Sequence, residues 1–461
     1  MKHIFVVALF IGYGILNAQS IHRSACNGDV KRLDSLLAGK DVNVLDENGR
    51  TPLLYATGCR NGEKAFYYLI AKGADVNIGD KGGLLPILFA TQSQNEKYID
   101  TLLAHQVNVN VTDIFGNSPL QLAVIRGNLS LVKKLIDNKT DVDAINNRGN
   151  TALEIAVREE FDSITEFLLY KGADKKKLRK FTLKGKYLGQ KEPKLKPIMF
   201  APNFVSTENY IHTAVFHPNE RELYFTASLR KIRTEAIMVS KIKNGVWTKP
   251  KRLDIFGDTK EFDSFITQDG KKLFYCSNKK VRETDTIQNA DIWMMERKGN
   301  SWGKPIHLGN EVNSPKNDWF PSVSNKGMLV FSPSIGREAK IVYSTLKDGV
   351  YQKPIAYGKN VNGENAYNYD PLISPDESFL IFSSRREGGF GGADLYICFK
   401  KEDGTWTEAK NMGETINSKT ADYAPSLSPD GKYFFFTSNV MGSSDIYWIS
   451  SEIIQNLRND K

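Results

Sequence analysis

Five residues able to stack on a ligand or titrate recur at one offset in the second half of the chain. His212, Phe262, Trp319, Tyr369 and Tyr423 each stand seven residues before the third position of a repeated turn, at Asn219, Asp269, Lys326, Asp376 and Asp430. One position earlier stand Ile211, Glu261, Asp318, Asn368 and Asp422, most of them polar. Aromatic faces beside acids suit a sugar or a peptide, the rings stacking and the acids orienting. A carboxylate beside an imidazole is also proton-transfer chemistry, so Glu261, Asp318, Asp422 and His212 could serve a lyase or a hydrolase. The plainer alternative is that the aromatics are ordinary core wedged between repeats.

Other chemistry finds little support. There is no His-Glu-x-x-His pattern and no Gly-x-Ser-x-Gly elbow, and the His and Cys residues are not read as a metal-ligand set. The run Gly388-Gly389-Phe390-Gly391-Gly392 leads into another strand pattern, not a helix, so it reads as a hairpin loop and not a phosphate cradle. The expectation is a non-enzymatic binding protein with no cofactor and no metal.

Those five positions need elements that bring them together. The turns His217-Pro218-Asn219-Glu220, Thr267-Gln268-Asp269-Gly270, Ser324-Asn325-Lys326-Gly327, Ser374-Pro375-Asp376-Glu377 and Ser428-Pro429-Asp430-Gly431 are spaced 50, 57, 50 and 54 residues apart. Each precedes an apolar strand such as Leu223-Tyr224-Phe225 or Phe434-Phe435-Phe436, then a strand opening Asp291-Ile292-Trp293, Asp394-Leu395-Tyr396 or Asp445-Ile446-Tyr447. A fourth strand carries Trp247, Trp302, Tyr351 or Trp406. Four-stranded meanders repeated five times, with two faces each to bury, pack economically as a radial propeller. The fifth unit lacks a fourth strand, and Pro197–Thr207 can supply it, closing the ring and removing an open edge. Five blades are expected, six being the alternative if residues 180–205 hide another. The Ser-Pro-Asp-Gly and Asp-Ile-Tyr elements resemble the WD40-like β-propellers of TolB-like periplasmic proteins, over about residues 195–455. That resemblance implies a binding scaffold, although propellers also serve enzymes.

The first half has a different period. Gly49, Gly83, Gly116 and Gly149 are spaced 34, 33 and 33 apart, with Asp46, Asp80, Asp113 and Asn146 three residues before them. Thr51-Pro52-Leu53, Leu85-Pro86-Ile87, Ser118-Pro119-Leu120 and Thr151-Ala152-Leu153 follow, then Ala56, Ala90, Ala123 and Ala156. Pro in a first helical turn gives up no hydrogen bond, Thr or Ser before it caps the helix, and Ala lets helices approach. A helix pair cannot bury its apolar face alone, so the units must stack. The pattern resembles ankyrin repeats over about residues 21–175, in five units with a degenerate first. Leu85 departs from it in place of a capping Thr, and Gln106 in place of a helix-end Gly. The resemblance implies protein binding through hairpin tips and a concave helix face. The tip candidates are Glu47, Asn48, Lys81, Ile114, Phe115, Asn147 and Arg148.

The fold class is therefore multidomain: an all-α ankyrin solenoid followed by an all-β propeller. The division is 1–19 signal peptide, 20–175 ankyrin repeats, 176–196 basic linker and 197–461 propeller. Lys2 and the apolar run Ile4–Leu16, followed by polar residues, fit a secretory leader better than a membrane span. The run Asn17-Ala18-Gln19 resembles signal-peptide ends of Gram-negative bacteria, which implies the periplasm. The net charge of +9 is concentrated in residues 176–196, with nine basic residues and one acidic. In an exported protein such a run reads as a solvated linker or a contact with an acidic envelope polymer, not a nucleic-acid site. Partners are expected to be proteins, with glycan or peptidoglycan contact open and no transmembrane span after leader removal. The four Cys exclude a disulfide scaffold and read as buried thiols; a Cys26–Cys59 bridge between neighbouring repeats is the alternative.

Overall fold

The computed structural model describes residues 21–459, apart from 180–181, 208, 230–233, 258, 282–288, 337 and 365. The expected leader at 1–19 lies outside the described residues. The described residues form two compact units, which divide between 179 and 182.

The first unit is five stacked helix pairs: Ile21–Cys26 with Val30–Leu37, Pro52–Gly58 with Glu63–Ala71, Pro86–Gln92 with Glu96–Ala104, Pro119–Ile125 with Leu129–Asp137, and Ala152–Arg158 with Asp162–Tyr170. Helices this short are marginal alone. Leu53, Ile87, Leu120 and Leu153 are fully buried in one core that runs through the stack. Thr51 caps its helix through Leu54 N, and Ser118 and Thr151 form reciprocal capping boxes with Gln121 and Glu154. Leu85, lacking a hydroxyl, makes no side-chain cap. Gln106 takes the left-handed backbone, φ 56°, that Gly73 and Gly172 occupy at the other helix ends.

The Asp or Asn of each hairpin has a clear job. Asp46 Oδ1 accepts from Asn48 N and Arg50 N at 2.8 Å, and Asp80, Asp113 and Asn146 repeat the tie. A second ladder fixes the step between units. Asn43, Asn77, Asn110 and Asp143 each accept from the backbone N–H of the next unit, at Asp75, Asn108, Asp141 and Asp174.

The expectation of free thiols at Cys26 and Cys59 is corrected: they form a disulfide, with Cα atoms 5.1 Å apart. Their separation of 33 residues equals one repeat, so stacking puts equivalent positions beside each other. Cys276 and Cys398 are free and buried.

The second unit is a closed ring of five antiparallel blades. Its innermost strands are Ile211–Phe216, Glu261–Ile266, Asn317–Val323, Asn368–Ile373 and Asp422–Leu427. Each packs against the next, and the fifth against the first. Ser426 Oγ donates to Ala214 O across that last junction at 2.6 Å. The fourth strand of blade five is Ile198–Met199, paired with Trp448 and Tyr447. Blade five thus borrows its outer strand from upstream, and no sixth blade forms among the described residues.

Short fourth strands are supplemented by side chains. Asn313 Oδ1 accepts from Ile292 N at 2.8 Å while its Nδ2 donates to Ile292 O at 3.1 Å. Asn362 does the same to Ile341, and Asn417 to Leu395. Ser206 Oγ takes that place on Ile446.

Of the stretch expected as a basic linker, Arg179 returns to the ankyrin unit. Its Nε donates to Glu154 Oε1 at 2.7 Å, closing the last repeat. Further on, Tyr187 and Leu188 are buried against Phe200, Phe216, Phe435 and Trp448 of the propeller. Trp247 Nε1 donates to Gly185 O at 2.8 Å. The apolar residues between the lysines are what draw the run in. Helix Glu452–Asn459 ends the described chain and buries Ile454 and Leu457 against blades four and five. No helix among the described residues is long and apolar enough to cross a membrane.

Candidate functional site

The five ring-bearing positions expected at a mouth stand where the innermost strands begin. His212, Phe262, Trp319, Tyr369 and Tyr423 are half-buried in all five blades, while both flanking residues are buried in every case. The flank that follows holds a β-bulge. Thr213, Asp263, Phe320, Asp370 and Ala424 all have left-handed backbone, φ between 52° and 57°. None is glycine, and each such residue costs roughly 1–2 kcal/mol that the surrounding packing must offset.

The bulge turns acids toward neighbouring blades. Asp263 Oδ1 lies 3.2 Å from His212 Nδ1 and accepts from Thr213 Oγ1 at 3.4 Å. The Asp263 N–H donates to Thr226 Oγ1 at 3.1 Å, locking blade two onto blade one. Burial alone would lower the His212 pKa. The hydrogen bond and charge of Asp263, with the charges of Glu235 and Asp370, raise it instead. The Asp370 carboxylate accepts from the Ala424 N–H of blade five. Burial and the nearby Asp263 charge push its pKa well above the usual range, against the opposing pull of His212 and Arg385. The Arg385 guanidinium lies over Tyr367 and Tyr369, 5.2 and 5.8 Å from the ring centroids. Tyr423 Oη meets Ser444 Oγ at 2.6 Å.

The acids one position earlier sit elsewhere. Glu261 pairs with Arg252 at 2.8 Å. Asp318 accepts from Ser314 N at 2.7 Å, Asp422 from Ser418 N at 2.5 Å, and Asn368 Nδ2 donates to Asn362 O at 2.6 Å. All four are fully buried and tie down the loop that enters their strand. None of them hydrogen-bonds His212. Asp263 and Asp370 were missed because counting along a strand assumes strict alternation, whereas the bulge inserts a residue. The available signal was an Asp directly after Phe262 and after Tyr369. No group of three or more His, Cys, Asp or Glu among the described residues is placed to hold a metal ion.

The ankyrin unit has a groove of about 300 Å³ between its tips and its inner helices. The tips contribute Asn48, Lys81, Ile114 and Phe115; the helices contribute Tyr55, Leu88 and Phe89. The Phe89 ring packs beside Gly58, 3.5 Å from where a Cβ would stand, an ordinary contact distance. Ile114 is 54% exposed, and Phe115 is half-buried at the groove edge. Glu47, Asn147 and Arg148 are outside the lining; Asn147 N donates to Phe115 O at 3.0 Å and joins the tips into a ladder. Asp80 and Arg50, 3.5 Å apart, and the Tyr55 hydroxyl on Asp46 form a polar wall. Apolar floor, exposed aliphatic tip and polar wall together suit a polypeptide segment better than a small polar metabolite.

A family model of ankyrin repeats (3 copies) matches residues 21–113 and 102–178. No curated protein matches the chain. The N-terminal unit is an ankyrin-repeat array, a module that suggests protein–protein interaction, and the C-terminal unit is a five-bladed propeller, a fold that suggests binding.

Proposed function

We propose that the chain is an exported, non-enzymatic adaptor of the cell envelope, located in the periplasm of a Gram-negative bacterium. Its ankyrin groove holds a protein partner, and the loop-end mouth of the propeller holds a second protein or a glycan such as peptidoglycan. The observation that carries this reading is the apolar groove that combines Phe89 with the exposed tip residue Ile114 and the half-buried Phe115. Export is supported by the leader pattern and by the Cys26–Cys59 disulfide, a bond that persists in oxidising compartments. The likeness to TolB-like propellers supports the same compartment.

The rival reading, a propeller lyase or hydrolase, is favoured by one observation, the His212–Asp263 pair at the mouth. Against it, Glu261, Asp318 and Asp422 are engaged in loop ties. The test is photo-crosslinking in envelope extracts, with a crosslinker placed at Phe115 and, separately, at Tyr423. The adaptor reading expects a discrete protein adduct from Phe115 that is lost in Phe89→Glu. Absence of that adduct, together with turnover of envelope glycan that His212→Ala abolishes, would establish the enzyme instead.

A further inference from the structure

The propeller channel has a second end, where the innermost strands stop and the turns follow. There the blades enclose a cavity of about 450 Å³. Val215, Phe265, Val323, Leu372 and Leu427 line it, one from each blade. All are apolar, and Phe265 and Leu427 keep part of their surface open. Its charged lining is one-sided: Asp376 from the turn of blade four, Asp430 from the turn of blade five, and Glu452 from the C-terminal helix. No Lys, Arg or His lines it among the described residues.

Asp376 and Asp430 are held in the charged form. Burial opposes ionisation of Asp376 and Asp430, but hydrogen bonds outweigh it, from the Ser378 N–H to Asp376 and from the Ser428 hydroxyl, the Lys432 N–H and the Tyr187 hydroxyl to Asp430, and hold both below the usual carboxylate range. The nearest cation, Lys432 Nζ, is 3.8 Å from Asp430 with its side chain 71% exposed, so it screens weakly. An apolar well with anionic groups on one side is complementary to an apolar side chain with cationic neighbours.

We propose that this turn-end cavity is a second binding site on the propeller, which takes an apolar side chain of a partner protein's segment flanked by Lys or Arg. A peptide segment fits better than a single cationic head group. The three carboxylates come from two blades and a helix, and a chain with cations beside its apolar residue can meet more than one. The site is independent of the loop-end mouth, and it goes beyond the adaptor reading by giving one partner's chemistry.

The test uses the full-length chain and calorimetric titration with a capped peptide of sequence KKLFKK, beside its acidic counterpart EELFEE. The expected result is saturable one-to-one binding of the basic peptide, with the acidic one at least tenfold weaker. Glu452 and Gln455 are exposed on the terminal helix, so E452Q/Q455K leaves the fold intact, checked by its melting curve. That variant should weaken the basic peptide at least fivefold, whereas Phe89→Glu in the ankyrin groove should leave it unchanged. Equal binding of both peptides, no saturation, or a loss caused by Phe89→Glu but not by E452Q/Q455K overturns the proposal.

Discussion

Asp318 and Glu222 are both buried carboxyls, and their surroundings push them in opposite directions. Burial drives Asp318 up to about 7, with the charge of Asp291 adding to it and hydrogen bonds from Ser314 resisting. A carboxyl whose folded pKa exceeds its unfolded one is more stabilising when protonated, so its contribution is lost as pH rises from about 4 through 7. Blade four carries Asn368 at this position, evidence that a neutral amide serves the same loop. Asp318→Asn keeps an oxygen for the Ser314 N–H and removes the charge. It should raise unfolding free energy at pH 8 by about 1–3 kcal/mol and do little at pH 4, measured by urea denaturation at both. Glu222 is the mirror case. Burial disfavours its charge, but hydrogen bonds from Arg297 and Tyr224 and the charge of Lys241 hold it down to about 2. Its contribution is present above about 4.5 and disappears as pH falls from there through 2. Glu222→Gln strands Arg297 between the blades and should cost about 2–3 kcal/mol at pH 7. The penalty should shrink steadily toward pH 2 in an acid titration of the melting temperature; a constant penalty would contradict the assignment.

Among elements, the Asn clamps of the blades show how a two-residue fourth strand holds its place. Asn417 accepts from the N–H of Leu395, which no backbone group of the short strand reaches, and shares its C=O with the Met412 N–H. Asn417→Ala leaves the buried Leu395 N–H without a partner, while Leu395 O keeps its bond from Met412 N, so it should destabilise the propeller by about 1–3 kcal/mol. Asn417→Ser should recover part of that, because Ser206 bonds both groups of Ile446. Chemical denaturation of the two variants decides it. The motif was readable, since Gly309–Asn313, Gly358–Asn362 and Gly413–Asn417 share a Gly-x-x-Val/Ile-Asn spacing. The ankyrin hairpins were more readable still, because Asp46, Asp80, Asp113 and Asn146 act on backbone groups two and four residues away. Interactions of that kind are local and leave fixed spacings. The His212–Asp263 pair leaves none, because it joins two blades through a bulge whose presence no residue type announces: Thr, Asp, Phe, Asp and Ala occupy it in turn. The Cys26–Cys59 bridge lies between these cases. It is long in sequence, yet its separation is the repeat itself.

At the scale of the molecule, the propeller depends on a segment that precedes its first innermost strand. Ile198–Met199 is the outer strand of blade five, so the ring is closed by joining the two ends of the unit. The same upstream segment buries Tyr187, Leu188, Phe200 and Val205, each 3% exposed or less, against Phe216, Phe435 and Trp448. At about 1.5–3 kcal/mol for each buried side chain, removing these four forfeits an amount comparable with the whole stability of an ordinary domain, about 5–15 kcal/mol. It also opens an edge on Asp445–Ser450, the strand to which Ile198–Met199 pairs. A chain beginning at Thr182 should therefore fold to a cooperative propeller, and one beginning at Asn209 should not, although it retains the four other blades and three strands of the fifth. Adding a synthetic peptide of residues 182–207 to the shorter chain should restore the near-ultraviolet circular dichroism of its buried aromatics. If the shorter chain folds cooperatively without the peptide, closure rests on contacts between blades alone, and the upstream segment is a covering and not a clasp.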